Sequence, residues 1–127
     1  MRDIKFRAWC LDYKVMNDHF FIQSNGIAHD VPSRTYDTPN IEIEENPNLV
    51  IMQFTGLQDK NGVDIYEGDI VEHINGYVWS VIFEDEESRF ALKRKLPLIR
   101  SLCKGRGENC EVIGNIHENK DLLNDRE

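Results

Sequence analysis

The stretch TGLQDKNGVDIYEGDIVEH, residues 55–73, decides how this chain folds. It sets Gly56, Gly62 and Gly68 among acidic and amide side chains, with Ile, Val and Tyr between them. Such a stretch is either an ion-binding loop or a set of sharp bends. Asp59, Asn61, Asp64 and Glu67 begin like a calcium loop, which also needs oxygen ligands further on and a glutamate at its twelfth position. Counted from Asp59, the fifth position is Val63 and the twelfth is Ile70, so the ligand set fails. Bends remain. Asp59-Lys60-Asn61-Gly62 predicts a type I turn closed by a glycine at positive φ. In EGDIV (67–71) the glycine bends the chain, the aspartate bonds the turn backbone, and Ile70 or Val71 enters the core. Bends so placed let Leu57, Val63, Ile65, Ile70 and Val71 reach one core.

Outward from this stretch the pattern stays extended. LVIMQFTG (49–56) is apolar and β-branched between Pro47-Asn48 and Gly56, and predicts a buried strand. Asn75-Gly76 separates DIVEHI from YVWSVIF and predicts a hairpin whose two central residues both take positive φ. Tyr77, Trp79, Val81 and Phe83 share one face of its second strand and are the expected core face, with Val78, Ser80 and Ile82 opposite. RFALKRKL (89–96) returns as a third strand, and CEVIGNI (110–116) is the last. IKFRAWC (4–10) alternates, with Ile4, Phe6 and Ala8 on one face and Lys5, Arg7 and Trp9 on the other. VMNDHFFIQ reads as its return strand. Residues 24–48 hold three prolines and many turn formers, and predict a long loop with short strands at 27–31 and 41–43. PLIRSLCKGRGEN reads as a loop or short helix. ENKDLLNDRE closes the sequence as a short acidic helix, capped by Asn119, with Leu122 and Leu123 packing back. The expected architecture is mainly β: antiparallel hairpins forming a small barrel or sandwich, SH3-like in its C-terminal part, with a short C-terminal helix. We read one domain over 1–127, with N-terminal hairpins and a long loop over 1–66 and the SH3-like part and helix over 67–127.

Composition bounds the function. The 127 residues suit one domain with a core of its own. No apolar run approaches the roughly 20 residues of a membrane helix, so no membrane partner is expected. MRDIKFRAW places charges and aromatics where a signal peptide needs an apolar stretch; the expectation is a cytoplasmic protein. Cys10, Cys103 and Cys110 contain no C-x-x-C, which fits reduced thiols, with a Cys103–Cys110 pair left open. The net charge of −8 argues against a generic phosphate-backbone binder. The charge is uneven, however. RFALKRKLPLIRSLCKGRG (89–107) carries Arg89, Lys93, Arg94, Lys95, Arg100, Lys104 and Arg106 and no acid, so it is +7 and the remainder is −15. This asymmetry marks either a solvated basic hairpin or a contact site for nucleic acid or for an acidic face.

The other candidate chemistries are weaker. Cys103, Cys110 and His117 lie seven apart, whereas zinc knuckles pair ligands two to four residues apart. A fourth ligand would have to come from His19, His29 or His73, so no metal is expected. Ser24, Ser33, Ser80, Ser88 and Ser101 lie in no nucleophile motif, and no phosphate-binding glycine motif occurs. Gly105 and Gly107 in KGRGEN predict a mobile loop. EDEE (84–87) predicts a solvated turn. Tyr77, Trp79 and Phe83 beside the basic segment are what single-stranded nucleic acid needs, a stacking platform along a cationic track. Against this, Trp79 and Phe83 suit a core, and the cations suit a soluble strand edge.

Three blocks, MRDIKFRAW, MQFTGLQDKNGVDIYEGDIV and EVIGNIHENKDLL, resemble the YopX-like proteins of bacteriophages and prophages, in that family's order. Residues 17–48 and 84–109 carry no matching pattern. The resemblance implies a phage- or prophage-encoded, β-rich, self-associating protein and carries over no catalytic residue. The resulting expectation is a non-enzymatic accessory protein that acts through protein contacts, as a homo-oligomer or with a phage or host protein, without a cofactor. The alternative is a nucleic-acid-binding module using residues 89–106. In either case Arg89, Lys93, Arg94, Lys95, Arg100, Lys104, Arg106 and Trp79 are the expected contact residues.

Overall fold

A computed structural model describes residues 3–17, 20–30, 44–45, 48–94 and 98–123. The chain is mainly β and its strands pair antiparallel, as the alternating pattern predicts. It divides into two compact units, one of Arg7–Met52 and one of Met1–Phe6 with Gln53–Glu127.

In the smaller unit β1 (Phe6–Cys10) pairs with β2 (Val15–Asn17), and β3 (Phe20–Ile22) pairs with β4 (Ala28–Asp30), which also pairs with β5 (Glu44–Glu45). The expected return strand thus divides into β2 and β3. The short strand expected at 41–43 lies outside the described residues. Ala8, Cys10, Ala28 and Leu49 form the core, flanked by Phe20 and Ile51. The predicted alternation in β1 does not hold. Ala8, Trp9 and Cys10 are all buried, while Ile4 and Phe6 are exposed. Three consecutive buried residues require cover on both faces of a strand, and a strand covered on both faces loses its period of two.

The larger unit follows from the bends. β6 (Leu49–Gln58) begins in the smaller unit and passes through Gly56, where its register with β7 (Asp64–Tyr66) shifts. Gly56, at φ +88°, is therefore a bulge inside the strand and not its end. A five-stranded sheet follows, in the order β11-β10-β9-β8-β12, built from β8 (Asp69–His73), β9 (Val78–Glu84), β10 (Arg89–Lys93), β11 (Ile99–Ser101) and β12 (Cys110–Asn115). Its core is Ile65, Val71, Trp79, Val81, Leu92 and Cys110. Trp79 and Val81 lie on the expected core face, but Tyr77 and Phe83 at the two ends of that row are exposed. Both Ile70 and Val71 are buried, so β8 is covered on both faces.

One loop design recurs three times. In residues 23–27, 59–63 and 73–77 the first residue's amide donates to the fifth residue's carbonyl, and the fourth residue, a glycine, donates to the first residue's carbonyl. The glycines have φ of +88°, +79° and +91°, the three-residue hairpin with one left-handed position. The 59–62 turn is the predicted one. At Asn75-Gly76 the structure corrects the expectation: only Gly76 has positive φ, because Ile74 joins the loop. Asp69 Oδ2 accepts the Tyr66 amide at 2.7 Å, as the EGDIV reading requires.

KGRGE is not a loop. Lys104–Glu108 form α1, one turn of helix, in which Gly107 is buried and an added Cβ would meet the Gln58 carbonyl oxygen at 3.3 Å. Of the expected C-terminal helix, the described residues form a 3₁₀ turn, Lys120–Leu123, packed on β9, and residues 124–127 lie outside the described residues. Asn119 does not cap it through its side chain. Its Oδ1 accepts the Asn115 amide at 3.3 Å, over Gly114. A Cβ on Gly114 would lie 2.9 Å from Asn119 Cβ. Gly114→Ala is therefore expected to displace that side chain and cost about 1–3 kcal/mol in urea unfolding, as overpacked sites do. An unchanged midpoint would mean that the turn yields freely.

Candidate functional site

The hairpin of β9 and β10 brings part of the basic segment onto one spot. Register places Trp79 opposite Val71, Val81 opposite Leu92, and Leu92 opposite Arg100, so all five side chains share one sheet face. At the end of this face nearer the 73–77 loop lies a cleft of about 160 Å³, lined by His73, Asn75, Trp79, Leu92, Arg100 and Arg106. Leu92 and Trp79 make the apolar lining, and both side chains are almost wholly buried.

The polar side chains are held in place. His73 Nδ1 accepts the Asn75 amide at 3.1 Å, and Asn75 Oδ1 accepts the Tyr77 amide at 3.1 Å. Arg106 comes from α1, and its Nη1 donates to the Ser101 carbonyl at 2.6 Å. Arg94 lies beside the cleft. Its guanidinium carbon sits 4.0 Å from the Tyr77 ring centre and 5.6 Å from that of Trp79. Stacking of this kind holds a guanidinium by its face and leaves its N–H edge directed outward. Among the described residues, Arg94, Arg100 and Arg106 pair with no carboxylate, and none lines the cleft.

The remaining expected contact residues go elsewhere. Arg89 Nε pairs with Glu84 Oε1 at 2.8 Å across the hairpin. Lys93 is exposed on the opposite sheet face, by the alternation that buries Leu92. Lys95 lies outside the described residues. Lys104 lines a different hollow, of about 510 Å³, with Asp3, Lys5, Phe54, Gln58 and Asp64. There Lys5 Nζ bonds Asp64 Oδ2 at 2.6 Å and lies 4.4 Å from the centre of the Phe54 ring. That bond raises the Lys5 pKa and holds the Asp64 carboxyl below its usual value. This hollow is larger, but Asp59 and Glu108 also line it, so four carboxylates outnumber its two lysines. His73 and Asn75 were read as turn residues and a zinc candidate only. They join the cleft because the 73–77 loop borders it, a placement no spacing rule announces.

Among the described residues no three His, Cys, Asp or Glu side chains are grouped to hold a metal, and no helix is long and apolar enough to cross a membrane. The cysteines are unpaired, Cys103 exposed, Cys10 and Cys110 buried. Burial, with the Asp59 carboxylate nearby, pushes the Cys110 thiol from 9.0 up to about 11. Iodoacetamide at pH 8 is expected to label Cys103 alone in the folded protein, read by mass spectrometry, since the thiolate is the nucleophile. Because the folded pKa is raised, the stability Cys110 confers is intact below pH 9 and falls by about 2–3 kcal/mol as pH rises through 11.

An antiparallel β protein with a guanidinium-lined cleft on its five-stranded sheet is the class that fold and site define. The sequence profile of the YopX family, described as YopX protein, matches residues 5–124, and the chain belongs to that family. It is similar in structure to protein EF1440 from Enterococcus faecalis, with 30% identity over 97% of this chain and 99% of that one and a TM-score of 0.65. It also shares its fold with protein yopX from Bacillus subtilis, at 23% identity, 97% and 99% coverage and a TM-score of 0.62. Comparison with curated proteins finds no match.

Proposed function

We propose that this chain is a phage- or prophage-encoded accessory protein of the host cytoplasm that works by binding, not catalysis, and that it self-associates. The observation that carries this reading is the convergence of Arg94, Arg100 and Arg106 on Trp79 with no carboxylate among the described residues to neutralise them. Guanidinium forks so arranged suit carboxylates, which they bind through paired N–H donors. The chain carries a matching excess of acid, −15 outside residues 89–107. Light scattering coupled to size exclusion tests the reading. Particles larger than the 14.9 kDa monomer are expected at low salt, moving toward monomer as salt screens the contacts. A monomer at every concentration would count against it.

A second reading, single-stranded nucleic acid, is supported by guanidinium groups beside Tyr77 and Trp79. It is the weaker of the two. Trp79 is only 7% exposed, so it offers no open face for a base, and Arg94 lies over the Tyr77 ring. Fluorescence anisotropy with a labelled oligonucleotide decides. Binding that rises steeply at low salt and is lost in Arg94→Ala/Arg100→Ala would promote this reading.

A further inference from the structure

We infer that the occupant of the Arg94/Arg100/Arg106 cleft is the acidic turn at residues 84–87 of a second copy of the chain, giving a head-to-tail contact. The inference rests on the reading of this protein as self-associating and names the two surfaces that meet. The turn and the cleft lie at opposite ends of the same hairpin. β9 runs from the cleft at Trp79 to the turn at Asp85, and at about 3.3 Å per residue the two are about 20 Å apart. That exceeds the screening length of about 8 Å at physiological salt, so the turn cannot neutralise the cleft of its own copy.

The charges match in kind and number. Glu84 is occupied by Arg89. Asp85, Glu86 and Glu87 are exposed and, among the described residues, form no ion pair. Three carboxylates at a narrow hairpin turn thus face solvent at one end, and three guanidinium groups at the other. The Asp85 carbonyl accepts the Ser88 amide at 3.3 Å with Ser88 at φ +51°, which gives the turn a defined shape in advance of contact. An acidic protein segment is favoured over single-stranded nucleic acid because Trp79, almost wholly buried, offers no open face on which a base could stack. Two different surfaces meeting in this way make a heterologous interface, which closes into a ring or continues as a filament.

A mixing experiment tests this. One variant, Asp85→Asn/Glu86→Gln/Glu87→Gln, keeps the cleft and neutralises the turn, so that it attracts neither the native nor the charge-reversed cleft. The other, Arg94→Glu/Arg100→Glu, keeps the turn and loses the cleft. The milder Arg94→Gln/Arg100→Gln replaces it if circular dichroism shows misfolding. Each variant alone is expected to run as a monomer, and an equal mixture as a heterodimer of about twice the monomer mass, because only one junction can form. If the wild type assembles and the turn variant assembles equally well, this inference is overturned while self-association stands. A mixture that stays monomeric overturns it too, as does an oligonucleotide that binds wild type and turn variant alike but not the cleft variant. A wild type that never assembles removes the reading beneath it.

Discussion

Asp59→Ala is expected to destabilise the protein by about 3–5 kcal/mol, a large fraction of the 5–15 kcal/mol that holds a domain folded. The carboxylate is buried and accepts three backbone amides. Oδ1 takes those of Asn61 at 2.8 Å and Val63 at 2.9 Å, shaping the 59–63 turn, and Oδ2 takes that of Val112 at 2.9 Å. One side chain thereby fixes a turn and ties it to β12. Alanine leaves all three donors short of an acceptor, and each such loss costs about 1–3 kcal/mol without full additivity. Asp59→Asn separates the two roles. Its oxygen can still serve the turn, but its NH₂ would face the Val112 amide, donor against donor, so about half of the loss is expected. Urea midpoints decide. A loss below about 1 kcal/mol in both variants would show that the carboxylate holds nothing together.

Trp79→Ala is expected to cost about 3–5 kcal/mol, as truncation of buried aromatic side chains does. Trp79 belongs to the core with Val71, Val81 and Leu92, and it also lines the cleft and supports Arg94. Tyr77, 45% exposed, supplies the comparison. Tyr77→Ala is expected to cost under about 1 kcal/mol, the worth of a cation–π contact at an exposed site. The pair therefore separates structure from recognition. If Trp79 served as an open stacking platform, its loss would abolish oligonucleotide binding and leave the melting temperature unchanged. The geometry predicts the reverse: a large drop in melting temperature for Trp79→Ala and a small one for Tyr77→Ala.

Much of this fold was legible in the sequence because its bends are chemically marked. Asp59-Lys60-Asn61-Gly62 and Glu67-Gly68-Asp69 specify their turns through local bonds from aspartate to nearby amides, which need no distant partner. The Asn75-Gly76 hairpin was legible as a hairpin but not as to type, since the choice between two and three loop residues depends on the register of β8 with β9. Burial was less legible. Ile4 and Phe6 had the right period to be core and are exposed, while Trp9 on the opposite face is buried. Periodicity reports that a strand has two faces and not which of them meets a second layer. Gly56 and Gly107 misled for a related reason. A glycine was read as an end or a loop, yet the first is a bulge within β6 and the second packs a helical turn closely against Gln58 and Ile65.

The sequence by itself determined a β-rich chain punctuated by glycine turns, its YopX kinship, and a basic segment set against an acidic remainder, because each is written in neighbouring residues. Only the tertiary structure decided which cations matter. Arg94, Arg100 and Arg106 come from the end of β10, from β11 and from α1. They meet at Trp79 because strand register and one buried glycine bring them there, while Arg89, Lys93 and Lys104 are carried to other surfaces. Convergence of this kind depends on pairing between residues far apart in the chain, and no local pattern encodes it.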